Sequence, residues 1–318
     1  MKPSAEKAMD LSREYFYNQA KPALEAAFPD LFPRMAFGLV GNGSECFGFD
    51  DAISRDHDWG VDFCIWLLDA DASANIDDIN EWKNKFFREH PPLYTKQLSR
   101  YTRPTGAQTV SGFYKQLIGC GGVPKTLREW IRIPEENLAI ATNGEAWLDP
   151  CGDFSAIRHG LLGFYPEDLR RKRIAARCME AAQSGQYNFQ RMARRGDRVA
   201  CTISLARFTE AVIALVFLLS KVYRPFYKWS FKRMLELPGL GAQVGDALSE
   251  LTGIEGFDQS AIDKRSRLID GICDMLVKRL NQDGLASSTD CFMTAQGLEV
   301  QAGIEDPALR NLPAQYLI

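Results

Sequence analysis

The hydrophobic pattern changes character near Gly160, and that change constrains the fold more than any other feature of the chain. Before it, apolar residues come in short runs, Met35 to Val40 and Val61 to Leu68, separated by Gly, Pro, Asn and Asp. Such runs have the length and the β-branched and aromatic content of buried strands. From Pro166 onward almost every segment carries a helical period. Pro166, followed by Glu167 and Asp168, suits a helix start. Ile269, Ile272, Cys273, Leu276 and Leu280 mark an amphipathic stripe on a helix capped by Ser260. The expectation is an α+β chain of two domains. Residues 1–160 form a mixed β-sheet with flanking helices, and residues 161–318 form an all-α helical bundle, joined around 155–166. A chain of 318 residues has room for both cores.

Local signals fill in this frame. Ser4 to Ala27 reads as a helix interrupted near Pro22. Asp69 to Ser73 reads as a polar loop, followed by a helix from Asn75 to His90 with Ile76, Ile79, Trp82 and Phe86 at helical spacing. Leu93 to Thr109 is expected to be loop. Val110 to Ile118 fits strand or helix equally well. Thr126 to Ile131 reads as a short helix. Leu138 to Leu148 reads as a helix end or strand, a turn at Asn143-Gly144 and a strand. In the helical half, Gly196-Asp197 is a break between long helices. Ile203, Phe208, Val212, Leu215, Val216 and Leu219 are expected in the core.

The chemistry concentrates between the two predicted strands. Gly41-Asn42-Gly43-Ser44 is a Gly-rich turn whose backbone N–H groups suit phosphate oxygens. Asp56 and Asp58 stand just before the second apolar run. On a strand they would share one face about 7 Å apart, with His57 on the other. Two such carboxylates suit Mg²⁺, which completes its shell with substrate phosphates. Asp62 has the same parity but lies about 13 Å further along, and is expected to pair with a basic residue instead.

Gly43-Ser44, eleven residues, Asp56-His57-Asp58 and a hydrophobic strand resemble the signature of the nucleotidyltransferase superfamily, the fold of DNA polymerase β, the minimal nucleotidyltransferases and the aminoglycoside nucleotidyltransferases. That match covers residues 35–70. A looser one, including Ser54-Arg55-Asp56-His57-Asp58 and the later Tyr223-Arg224-Pro225-Phe226-Tyr227-Lys228-Trp229, is similar to an uncharacterised bacterial branch and extends to about residue 240. The resemblance implies that Gly43 and Ser44 hold the triphosphate and that Asp56 and Asp58 bind Mg²⁺, or Mn²⁺ in its place. It also implies a third carboxylate on a later strand, acting on the acceptor hydroxyl. Val110 to Phe113 offers no acid, which leaves Glu129 and then Asp149 as candidates. Arg55, directly before the first Asp, departs from the common pattern and is assigned to the nucleotide. Lys228 resembles a lysine that related two-domain enzymes send to the phosphates. Tyr227 is a candidate for stacking on the base, although Tyr223, Tyr227 and Trp229 also suit a core.

The implied activity is transfer of a nucleoside monophosphate from an NTP, with ATP the default donor, to an acceptor hydroxyl or phosphate on a small molecule, protein or RNA. The site would lie between the two domains. A catalytically silent nucleotide-binding protein of the same fold is the alternative. A phosphate-ester hydrolase lacks a second ligand cluster, because His57, His90 and His159 are widely separated. The net charge of −3 gives no global field for a long nucleic acid. Arg170 to Arg173, and Arg191, Arg194, Arg195 and Arg198, read either as solvated helix faces or as the walls of an anionic cleft. Eight scattered cysteines form no zinc or disulfide pattern, and most are expected as buried thiols in a cytoplasmic protein. The polar N-terminus lacks the apolar core of a signal peptide. Ala211 to Leu219 is too short to span a membrane and reads as a buried helix.

Overall fold

The computed structural model describes residues 7–55, 59–96 and 106–318. Its architecture is α+β, and the chain divides into two compact units, Met1–Gly163 and Phe164–Ile318.

The first unit holds a four-stranded mixed sheet in the order β3-β2-β1-β4. The strands are β1 (Ala36–Leu39), β2 (Cys64–Leu67), β3 (Ala107–Thr109) and β4 (Glu145–Leu148). β1 pairs antiparallel with both β2 and β4, while β2 and β3 run parallel. The second apolar run is continuous because both faces of β2 are covered. Phe63, Ile65 and Leu67 join a core with Phe16, Phe37 and Ile79. Trp66, on the other face, stacks on Phe154 with ring centroids 3.9 Å apart. Paired strand is shorter than the run: Val61 makes only an isolated bridge to Thr95.

Among the described residues, seven α-helices accompany the sheet. The N-terminal one is α1 (Ala8–Tyr15), a π-turn at Phe16–Ala20, then α2 (Lys21–Ala27). The interruption near Pro22 is this π-turn, in which the Lys21 N–H reaches back to Phe16 O; the wider turn relieves the proline ring's clash one turn upstream. The expected cap Ser4 lies outside the described residues. The helix α3 (Asp69–Glu89) begins where a loop was expected. Asp69 and Asp71 favour its positive N-terminal end, and Asp71 also pairs with Arg34 at 2.9 Å. β3 lies inside the expected loop. Val110–Ile118 is a helix, α4, because Thr109 caps it by accepting from Gly112 N–H at 2.7 Å. Then come α5 (Leu127–Ile131), α6 (Glu135–Thr142) and α7 (Asp153–Leu162). α7 occupies most of the stretch expected to be a joint.

The second unit is all helix: α8 (Glu167–Ala181), a π-helical stretch over Ala182–Phe189, α9 (Gln190–Arg194) and α10 (Arg198–Ser220). They are followed by α11 (Tyr227–Leu235), α12 (Leu240–Gly253), α13 (Gln259–Gln282), α14 (Met293–Ala302) and α15 (Pro307–Arg310). Gly196, at φ +71°, makes the break before α10, and Asp197 caps it by accepting from Ala200 N–H at 2.9 Å. α13 is capped by Asp258, not Ser260. α10 is long and apolar enough to cross a membrane, but its Ala211–Leu219 half is buried in this unit's core. Ile203, expected in that core, is 53% exposed; it sits about two turns before the helix becomes buried on all sides at Ala211.

Candidate functional site

The connection from β1 to β2 carries both sequence features of interest. Because the two strands are antiparallel, with Gly38 opposite Cys64, the chain leaves β1 and enters β2 at the same end of the sheet. The Gly-Ser turn stands at the start of this connection and the acid pair near its close.

The turn is held by residues a hundred positions away. Asn143 clasps Gly41 at both backbone groups: its Oδ1 accepts from Gly41 N–H at 3.2 Å and its Nδ2 donates to Gly41 O at 2.7 Å. Gly144 N–H donates to Cys46 O at 2.8 Å. Arg158 of α7 donates to Asn143 O at 2.6 Å and to Gly144 O at 3.0 Å, fixing this second turn in its place. Gly144 is required twice over: its φ is +58°, and a Cβ there would overlap Leu39 O. After Gly43 the chain makes a short 3₁₀ turn, Ser44–Phe47. Glu45 folds back under it, so a Cβ on Gly43 would overlap the Glu45 carboxylate.

Three buried carboxylates surround this connection, and each has a defined role. Glu45, 2% exposed, pairs with Lys96 at 2.6 Å; its other oxygen, Oε2, has no hydrogen-bond partner among the described residues. Burial pulls the Lys96 ammonium down, but Glu45 and then Asp62 more than reverse this and raise it above its ordinary value. Asp50 accepts from Lys7 Nζ at 2.9 Å, Ala8 N–H at 2.8 Å and Trp59 Nε1 at 3.2 Å. Burial pushes the Asp50 carboxyl up; the bonds from Lys7, Ala8 and Trp59 outweigh it and hold the group below its ordinary value. Asp62 pairs with Lys83 at 2.7 Å and accepts from Phe63 N–H at 2.7 Å, the basic partner its position called for.

The expected site residues fall in three places. Gly43 and Ser44 form the turn, both half-buried. Arg55 ends a 3₁₀ turn, Ile53–Arg55, with its guanidinium 4.3 Å from the centre of the Trp59 ring. Asp56, His57 and Asp58, between these two, lie outside the described residues. Glu129 and Asp149 belong to the same unit, and both accept backbone N–H groups at helix starts. Glu129 Oε2 accepts from Lys125 N–H at 2.7 Å and Thr126 N–H at 2.9 Å, closing a capping box on α5. These backbone donors hold its carboxyl below the usual range. Asp149 accepts from Gly152 N–H at 3.1 Å and Ser155 N–H at 2.7 Å at the start of α7. Tyr227 and Lys228 open α11 in the second unit. Tyr227 is 84% exposed, and Lys228 Nζ lies 5.2 Å from the Phe226 and Trp229 ring centres. Tyr223 is core, packed on Phe164 and Tyr165.

The basic clusters divide. Arg191, Arg194, Arg195 and Arg198 are exposed, as solvated faces should be. Arg170, Lys172 and Arg173 are buried, neither solvated nor lining an open cleft. Lys172 donates to Pro313 O at 2.7 Å and Ala314 O at 3.1 Å, and Arg173 to Ile318 O at 2.9 Å. They tie the C-terminal segment to α8. All eight cysteines are free, five of them buried.

Among the described residues no group of three or more His, Cys, Asp or Glu could hold a metal ion. The carboxylates nearest the turn are already committed to Lys96, Lys7 and Lys83.

Comparison with known families gives one match. Residues 130–230 match a domain of unknown function, DUF4037. The matched stretch holds Asn143, Gly144 and Arg158, which frame the turn, and Tyr227 and Lys228. It excludes Gly43, Ser44, Asp56 and Asp58. No curated protein and no solved structure matches the chain.

Proposed function

We propose that the chain is a Mg²⁺-dependent nucleotidyltransferase, moving a nucleoside monophosphate from an NTP to an acceptor hydroxyl or phosphate with release of pyrophosphate. The observation that carries the reading is the antiparallel pairing of β1 and β2: it anchors both ends of the connection bearing the Gly-Ser turn and the acid pair at one end of the sheet. In this reading Gly43 and Ser44 cradle the triphosphate, and the Asn143 clasp keeps that turn rigid. Asp56 and Asp58 hold the metal, which when bound neutralises phosphate charge; Mn²⁺ suits the same ligands. Arg55, Lys228 and Tyr227 are assigned to the nucleotide. ATP is the default donor and a cytoplasmic setting suits the eight free thiols.

One observation favours a second reading. Glu129 and Asp149, the two candidates for the third carboxylate, already accept backbone N–H bonds at helix starts. For Glu129 these donors hold the carboxyl below its ordinary value and so make it a weaker base. A protein that binds nucleotide without transferring it accommodates this.

Pyrophosphate release measured with each NTP and Mg²⁺ tests the first reading. Turnover in the wild type and its loss in the Asp56→Asn, Asp58→Asn double variant are expected; turnover that survives in the double variant removes the assignment. NTP binding by calorimetry with no turnover on any acceptor selects the second reading.

A further inference from the structure

The second unit contains a cavity of about 500 Å³, the size of a small-molecule site. It lies wholly within this unit, bordered by α10, α11, the end of α12 and the start of α13. One face of α10 supplies a wall: Thr202, Leu205, Ala206, Thr209 and Ile213 recur at helical spacing. Leu251 and Phe257 complete an apolar interior, and the exposed Tyr227 stands among the lining residues.

Three charged side chains line it: Glu210, Arg224 and Arg265. Glu210 and Arg224 pair at 3.1 Å. Arg265 has no such partner. It is 4% exposed, and no carboxylate among the described residues lies within ion-pair distance of it. Its terminal nitrogens donate to Gly256 O at 2.6 Å and to Ile254 O, and its guanidinium carbon lies 4.7 Å from the Phe257 ring centre. Its Nε, also buried, has no acceptor among the described residues. Two carbonyls solvate the cation without cancelling its charge. Burial lowers its proton affinity below the ordinary arginine value, and the nearby Cys201 and Asp258 offset this only in part. A buried cation that keeps its charge is costly unless an anion compensates it. The cavity is where an anion could sit.

We propose that this cavity binds a small anionic molecule with an apolar or aromatic body, its carboxylate or phosphate compensating Arg265 and its body lying against Leu205, Ile213, Leu251 and Phe257. The proposal does not rest on nucleotidyl transfer: none of the cavity's charged groups belongs to the turn or the acid pair, and Tyr227 alone of its lining is also assigned to the nucleotide.

The test is calorimetric titration of the full chain with 2-naphthoate, 2-naphthyl phosphate and uncharged 2-naphthamide, which share a ring system. At least one anionic probe is expected to bind about tenfold tighter than the amide, a ratio equal to ~1.4 kcal/mol; which anion does so identifies the head group. Ala206→Trp, at an exposed position on the cavity wall, is expected to weaken every probe about tenfold or more by filling the space. Arg265→Met, if its thermal melt is cooperative, is expected to abolish the preference for anions while sparing the amide. Equal affinity for all three probes, or binding unchanged in Ala206→Trp, overturns the proposal whether or not the Met variant folds.

Discussion

Gly144→Ala tests whether the frame of the Gly-Ser turn depends on a close backbone approach. The residue lies at φ +58°, and a Cβ would overlap Leu39 O and stand 3.1 Å from both Leu39 C and Val40 Cα. Two costs follow. Placing an L-residue in the left-handed region costs roughly 1–2 kcal/mol. Forcing a methyl group into a packed site costs typically 1–3 kcal/mol more, here by pushing the 143–144 turn away from the end of β1. The sum is about 2–5 kcal/mol. Gly152→Ala is the control: its φ is +79°, but a Cβ there meets nothing within 4 Å, so only the first cost applies. Urea unfolding followed by tryptophan fluorescence reports on the right unit, since five of the six tryptophans lie before residue 164. At unchanged m, the midpoint should fall further for Gly144→Ala, by a difference of about 1–3 kcal/mol. Equal losses in the two variants would refute the close-approach argument.

Other perturbations probe the buried charges and caps. Lys96→Met leaves the Glu45 carboxylate buried without its cation and should cost about 3–5 kcal/mol, while adding Glu45→Gln should recover part of that loss in the same urea assay; a neutral single variant would remove the pair from the frame. Asp50 has a lowered folded-state pKa, so unfolding at acid pH takes up a proton. Its contribution is complete above the unfolded carboxyl pKa and lost as pH falls through the folded value. Asp50→Asn should therefore flatten the drop in stability below about pH 4; an unchanged acid slope would show that Asp50 is not a source of it. Asp197→Ala deletes the cap of α10 and should lower stability by about 1 kcal/mol, read as a shifted thermal midpoint.

Much of the fold was legible because its signals are local. The change of hydrophobic period near Gly160 separates a sheet-bearing unit from an all-helical one, and the Asn143-Gly144 turn stands where its residue types place it. The errors share a cause: a composition that looks polar and irregular was stabilised by something outside the window. Asp69 to Ser73 resembles a loop, yet it opens α3 because two early acids suit a helix N-terminus and Arg34 pairs with one of them. Arg170, Lys172 and Arg173 resemble a solvated basic face. Lys172 and Arg173 are buried because carbonyls about 140 residues later in the chain accept their hydrogen bonds, Arg170 is held by Glu167 and Leu218 O, and no periodicity encodes the distant partners.

The site shows the same division between local and distant signals. The Gly-Ser turn was visible, but the residues that hold it were not, since Asn143 and Arg158 are about a hundred positions away and Lys96 about fifty. Glu45 had a local clue: an acid directly after Gly43-Ser44, in a stretch otherwise apolar or small, needs a partner if it is buried. Glu129 had one too. Thr126-x-x-Glu129 before Trp130 and Ile131 is the pattern of a capping box, and a carboxylate spent on two backbone N–H groups is held ionised and oriented toward its own helix. For Glu129 to serve an acceptor hydroxyl it would have to leave that box and give up its two backbone hydrogen bonds. Nucleotide binding that pulls Glu129 from its cap would raise hydrogen exchange at the Lys125 and Thr126 amides, whereas a purely structural cap would leave both protected with NTP and Mg²⁺ present.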